Sequence, residues 1–268
     1  MSNEALCVIT GLIPINIKID ETVMYYEYVK GNGNQFDREM EAKYWNHPAK
    51  VVEITAAQEE SKHTIKVYTD GSKSEKGVGS GIAIFKHRNL TDTMKYRLNG
   101  RCSNNQAEQL AILKALEKIQ NLDTNEKTAQ IFTDSWITLD ALKTRKNHAH
   151  FIEQIRTNVV ELQNQNWKIH FHWVKAHAGH HGNELADQLA KEAAASMENE
   201  TYKKIPKSTV IRELNEGSLI KWQSEWDKTT NNKRLFPSYT RQAKNENKNY
   251  TYIHNDDNGA RNLKIIFT

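Results

Sequence analysis

Cysteine is nearly absent: the 268 residues hold only Cys7 and Cys102. Two cysteines exclude a disulfide framework and an all-cysteine zinc site. Long apolar runs are missing too, none approaching the roughly 20 residues of a membrane-spanning helix. Residues 1–12 (MSNEALCVITGL) have neither a basic start nor an extended apolar stretch, which argues against a cleaved signal peptide. We therefore expect a soluble, intracellular protein with no membrane partner; its sequence does not separate nucleus from cytoplasm. Apolar residues make up 38% of the chain and charged residues 26%, which suits a folded core under a polar surface.

Charge is unevenly spread. Residues 1–64 carry 6 basic and 10 acidic side chains, residues 65–200 carry 18 and 16, and residues 201–268 carry 13 and 7. The last segment is thus the best suited to a phosphate backbone, although a solvated tail is the plainer reading. We divide the chain into an N-terminal connecting segment (1–62), a folded domain (63–196) and a basic C-terminal extension (197–268). The extension reads as a helix over 211–228, with Trp222 and Trp226 four apart on one face, and then as an Asn/Lys-rich stretch without order from Asn231 to Asn258.

The middle region carries the folding pattern. Thr64–Asp70 alternates Ile65 and Val67 with Lys66 and Tyr68, a strand. Gly79–His87 and Met94–Leu98 follow as antiparallel partners across a polar turn at Arg88–Asp92. A helix runs from Asn104 to Gln120, opened by Ser103 with Gln106 three residues on, a capping box. Ala129–Asp134 and Trp167–Val174 read as strands, Phe151–Leu162 and Gly182–Ala195 as helices. Strands first, then strands alternating with helices, predict an α/β domain with a mixed sheet and helices on its faces.

Four acids stand in informative places. Two strands end alike, Val67-Tyr68-Thr69-Asp70 and Ile131-Phe132-Thr133-Asp134, each followed by a small residue that turns the chain. Either alone is an ordinary turn aspartate; together, at strand ends of an α/β sheet, they mark a ligand site. Glu108 shares a helix face with Ile112, Ala115 and Ile119, where an acid is costly without a partner or a cation. Asp187 lies at the margin of the Ala186, Ala190 and Ala193 stripe. Gathered together, four carboxylates would raise one another's pKa values. Oxygen-only donors suit Mg²⁺ or Mn²⁺, and two such ions serve phosphodiester hydrolysis.

The motifs TDGS (69–72), NNQAE (104–108), TDS (133–135) and WVKAHAGHHGNELAD (173–187) together resemble the ribonuclease H family over about residues 63–196. The resemblance implies a ribonuclease H-like fold, a five-stranded mixed sheet flanked by helices. It also implies endonucleolytic hydrolysis of the RNA strand of RNA/DNA hybrids with two Mg²⁺ ions, for which Mn²⁺ can substitute. Asp70 would bridge the metals, with Glu108, Asp134 and Asp187 completing their shells. His177 matches the family's mobile-loop histidine, linked to proton transfer or product release. Gly71 and Ser72 would approach the RNA strand, Asn104 and Gln106 would read ribose 2′-hydroxyls, and Asn105 would contact the DNA strand.

His170, His172, His177, His180 and His181 suggest zinc only weakly, with no cysteine nearby; solvated strand-face and loop histidines are the better reading. The family's basic handle is missing, since Leu142–His150 is too short to form it. GLIPINIKI (11–19), NHPA (46–49) and the Trp222/Trp226 segment resemble sequences around the ribonuclease H region of non-LTR retrotransposon polyproteins, which also carry a reverse transcriptase, a candidate partner. The alternative is a catalytically inactive hybrid-binding or tethering remnant of such an element. An integrase-like enzyme fits the last motif poorly.

Overall fold

β-Branched and aromatic residues at period two build the strands of this protein, and a computed structural model places them in one mixed sheet. The structure describes residues 6–7, 10–31, 35–48, 53–54, 65–176 and 178–228, with the backbone of 250–255 and 262–267. Two compact units emerge, Asn34–Thr209 and a second made of Met1–Gly33 with Val210–Thr268.

In the first unit the strands are β1 (Glu53–Ile54), β2 (Ile65–Ser74), β3 (Gly77–Lys86), β4 (Asn89–Leu98), β5 (Thr128–Thr133) and β6 (Lys168–Trp173). Their order is β1-β6-β5-β2-β3-β4. β2, β3 and β4 form an antiparallel meander, whereas β5 pairs parallel with both β2 and β6. The expected five strands are all present, and the two-residue β1 adds an edge beside His170 and Phe171. The β3–β4 turn is tighter than expected. His87 and Arg88 both take positive φ, 52° and 67°, the two-residue hairpin geometry that matches strand twist. Asn89–Asp92, read as turn, therefore belongs to β4.

Four helices cover the sheet. α2 (Asn104–Gln120) has the capping box expected of Ser103 and Gln106. α3 (Trp136–Lys143), which the pattern did not disclose, begins where the Ser135 side chain accepts the Thr138 N–H. α4 (His150–Asn164) and α5 (His181–Ala195) follow. Ile65, Val67, Ile82, Leu110, Ile112, Ile131 and Phe171 belong to the shared core. On α5 the approach is closer. A Cβ at Gly81 would collide with the Ala186 carbonyl oxygen, and one at Gly79 with that of Ala190. Ala186 and Ala190 of α5 thus ride on a glycine stripe of β3, at nearly backbone-to-backbone distance.

The compact unit takes in residues on both sides of 63–196, because they bond to it. Phe36 pairs with Ile205, Glu39 with Ala149, and Leu98 with Tyr202. Trp45 stacks on His148 with ring centroids 3.4 Å apart. Below it, Glu153 and Arg156 form a fully buried ion pair at 2.6 Å, and the guanidinium also donates to the carbonyls of Ala141, Leu142, Thr144 and Asn147.

The second unit contains α1 (Ile15–Gly31) and most of α6 (Lys207–Lys228). Ile17, Trp222 and Trp226 form its core, so the two tryptophans share a buried face as their spacing predicts. Tyr250–Asn255 and Asn262–Phe267 pair as an antiparallel two-stranded sheet, within and beyond the stretch read as lacking order. Among the described residues, no helix is long and apolar enough to cross a membrane.

Candidate active site

Strand register brings the first two acids together. Thr69 of β2 is paired with Thr133 of the parallel β5, so Asp70 and Asp134 each stand one residue beyond that pair. The strands then part, and their ends differ from expectation. Asp134 leaves the sheet for α3, whereas β2 continues to Ser74, its hairpin with β3 pairing Asp70 with Gly81, Gly71 with Ser80 and Ser72 with Gly79. The Gly71 that was expected to turn the chain serves instead as a place of close approach. A Cβ there would lie 2.5 Å from the Glu108 backbone nitrogen, so α2 enters against β2 only because that side chain is missing. On the other face, the seating of Ala186 on Gly81 brings Asp187 beside Asp70.

Asp70 is 7% exposed and its Oδ1 accepts the Gly71 N–H at 2.7 Å. Its carboxyl is pushed up to about 8, first by burial and then by the negative charges of Asp134, Asp187 and Glu108. The four acids are thus one electrostatic group. Glu108 is also raised, mainly by burial, with Asp134 adding to the rise and the Ser135 hydroxyl opposing it.

Two further acids are turned toward side-chain donors of the protein, and Asp134 is held by its backbone. Asn104 Nδ2 donates to Glu108 Oε1 at 2.7 Å, and the Ser135 hydroxyl donates to Oε2. Ser135 Oγ is itself held by Thr138 Oγ1 at 2.8 Å. Lys191 Nζ lies 2.6 Å from Asp187 Oδ2. The Asp134 carbonyl accepts the Trp136 N–H at 2.9 Å and the Trp173 indole N–H at 3.1 Å. Among the described residues, no three His, Cys, Asp or Glu side chains are drawn together closely enough to enclose an ion. The donor chemistry nonetheless fits a hard divalent cation: all four groups offer oxygen, and positive charge would relieve both the burial cost and the repulsion that raise Asp70.

The other expected residues divide. Asn104 and Asn105 occupy the half-buried first turn of α2, and Gly71 and Ser72 are likewise half-buried. Gln106 does not face a substrate: it is 4% exposed, its Oε1 accepts the Ser103 N–H and its Nε2 donates to Asp37 Oδ2. The amide needed for a 2′-hydroxyl is consumed inside the fold. His177 lies outside the described residues. Nor is His172 a solvated histidine; it is buried and stacks on Phe132 at 5.0 Å, because β6 is covered on that side. Ser135, Lys191 and Trp173 were not anticipated. The Asp187/Lys191 spacing of four and the serine after Asp134 were available as local cues; the bond from Trp173 spans 39 residues and had none.

Acids one residue beyond the last parallel pair of neighbouring strands, closed over by one acid from each of two helices, define a carboxylate-centred site of the kind that α/β sheets build at their carboxyl edges. The family model described as RNase H matches residues 62–195. Ribonuclease H of Blochmanniella pennsylvanica is 30% identical over 157 residues, covering 52% of this chain and 97% of the relative. Ribonuclease H of Campylobacter jejuni is 31% identical over 153 residues, covering 53% and 99%. Among solved structures, RNase H1 of Halobacterium salinarum matches with a TM-score of 0.38 and 22% identity, over 48% of this chain and 96% of that one. The chain belongs to the RNase H family.

Proposed function

We propose that this protein is an endoribonuclease that hydrolyses the RNA strand of RNA/DNA hybrids, with Asp70, Glu108, Asp134 and Asp187 holding two Mg²⁺ ions, or Mn²⁺ in their place. The observation that carries the proposal is the Asp70 carboxyl, raised first by burial and then by the charges of the other three acids. Family membership and the curated relatives named Ribonuclease H support the same reading. Bound there, the cations would supply an activated water and stabilise the leaving oxygen.

The chain's own residues set up the rest. Ser135 and Asn104 orient Glu108, Trp173 holds the backbone of Asp134, and burial around Asp70 excludes bulk water. Asn104 and Asn105 present amides at the start of α2, suited to the ribose 2′-hydroxyl of the RNA strand and to the paired DNA strand. Gly71 and Ser72 offer backbone and hydroxyl groups beside Asp70. His177, which lies between β6 and α5 in the sequence, is assigned proton transfer or product release. The flanking sequences support a retrotransposon polyprotein as the source, with a reverse transcriptase as partner.

Cleavage of a labelled hybrid, beside duplex DNA and duplex RNA and with and without Mg²⁺, tests the assignment. Only the hybrid should be cut, and only with the metal. Asp134→Asn should abolish cleavage while leaving hybrid binding intact, since the shape is kept and a metal-holding charge is removed. Turnover like that of the wild type in this variant would remove the four-acid assignment.

A further inference from the structure

The two segments that flank the matched residues 62–195 meet at the first turn of α2. Gln106 joins them to it: Oε1 accepts the Ser103 N–H at 2.9 Å, while Nε2 donates to Asp37 Oδ2 at 2.8 Å and to the Lys204 carbonyl at 3.2 Å. Both segments are anchored independently. The Asp37 N–H donates to the Ile205 carbonyl at 3.0 Å and the Ile205 N–H to the Gln35 carbonyl at 2.7 Å. Thr201 and Tyr202 in turn bond the backbone of Arg97 and Asn99 at the end of β4. Phe36 and Ile205 are buried.

Packing alone does not account for a carboxylate at this place. Asp37 Oδ1 is buried and makes no hydrogen bond of normal geometry among the described residues, and the carboxylate's other neighbour is the buried Tyr202 hydroxyl, whose pKa is raised first by burial and then by this acid. What the acid provides is an acceptor with no donor of its own. It admits only the Nε2 end of the Gln106 amide, and so directs Oε1 to the Ser103 N–H. The capped turn then carries Asn104 on its other side, whose side chain is bonded to Glu108.

We propose that Asp37 is a positioning residue for the RNA-reading end of α2, acting through Gln106. It holds Asn104 and Asn105 in register with the hybrid and does not touch the substrate. This rests on the reading of those two asparagines given above. It also makes the functional unit longer than the matched domain, since Asp37 lies before it and Lys204 after it.

A charge swap in the full chain tests this. Gln106→Glu keeps a carboxylate oxygen for the cap, since Glu is the usual capping-box partner, but removes the donor to Asp37 and sets two acids against each other. The KM for hybrid, and the Kd for hybrid without divalent cation, should rise about tenfold, the scale of one hydrogen bond to a charged group, with kcat little changed. Adding Asp37→Asn supplies a donor of the opposite sense and should recover most of both losses, a coupling that independent sites do not give. Unchanged KM and Kd in Gln106→Glu, a fall confined to kcat, or no recovery in the double variant overturns the proposal. So does loss of cooperative melting in Gln106→Glu, which would leave Asp37 a purely structural role. A wild-type chain that neither binds nor cuts hybrid would instead sink the ribonuclease reading.

Discussion

Lys191 Nζ stands 2.6 Å from Asp187 Oδ2, one turn further along α5. A cation of the protein is therefore already paired with one acid of the proposed metal site. The lysine side chain is 59% exposed, so the pair contributes little to stability. Its effect falls on competition: a fixed positive charge beside the site repels a divalent ion. Lys191→Met should lower the Mg²⁺ concentration for half-maximal cleavage severalfold without shifting the melting temperature. A metal titration decides it, and a higher Mg²⁺ requirement would show that Lys191 assists the site.

The acid cluster makes the metal-free protein sensitive to pH. Asp70 titrates at about 8 when folded, against the ordinary 3.8. Between those values the folded state holds a proton that the unfolded chain has released. The stabilisation is therefore complete below about pH 4 and is lost as pH rises toward 8. Asp70→Asn should flatten that decline and melt higher than the wild type at pH 8 in a chelator, by about 2–4 °C for each kcal/mol recovered. Mg²⁺ should raise the wild type in the same direction. Parallel melting curves for the two proteins from pH 5 to 8 would contradict the burial of Asp70 among the other acids.

Gly81 has no room for a side chain under α5. Gly81→Ala should destabilise by about 1–3 kcal/mol, the usual effect of overpacking, and cleavage should fall with it because α5 carries Asp187. Denaturant melts beside hybrid cleavage at a temperature where the variant is folded separate the two effects. Full activity in a folded variant would mean that Asp187 tolerates a displaced helix.

The basic tail should act through salt-sensitive affinity. Its shortening must spare Tyr202, Lys204 and Ile205, which are bonded to the first unit, and Trp222 and Trp226, which form the core of the second. Removal of residues 229–268 should weaken hybrid binding at low salt and reduce the slope of log affinity against log salt, by up to about 0.9 for each phosphate that the tail neutralises. Titrations of both proteins at several salt concentrations measure this. Identical slopes would exclude the tail as an electrostatic grip.

Local chemistry made much of this protein legible from its sequence. The start of α2 at Asn104 follows from Ser103 and Gln106, whose reciprocal bonds span three residues. The shared face of Trp222 and Trp226 follows from helical period. The four acids could be singled out because two repeat at strand ends and two lie on or beside apolar helix stripes. The tight turn at His87 and Arg88 escaped the same reading, because neither residue is a usual carrier of positive φ and the twist of β3 and β4 imposes it.

What only the tertiary structure decided are relations between residues far apart in the chain. Gln106 reads locally as a helix cap with a free amide, and becomes an internal tie because Asp37 lies 69 residues away in sequence and 2.8 Å away in space. His172 reads as solvated until Phe132 covers it. Gly81 is an ordinary strand glycine until Ala186 presses its backbone upon it. Residue type, period and spacing determined which acids stand out as candidates and which segments become strands and helices. Long-range packing determined which of those groups face one another, because burial and close approach arise only when distant segments share the same space.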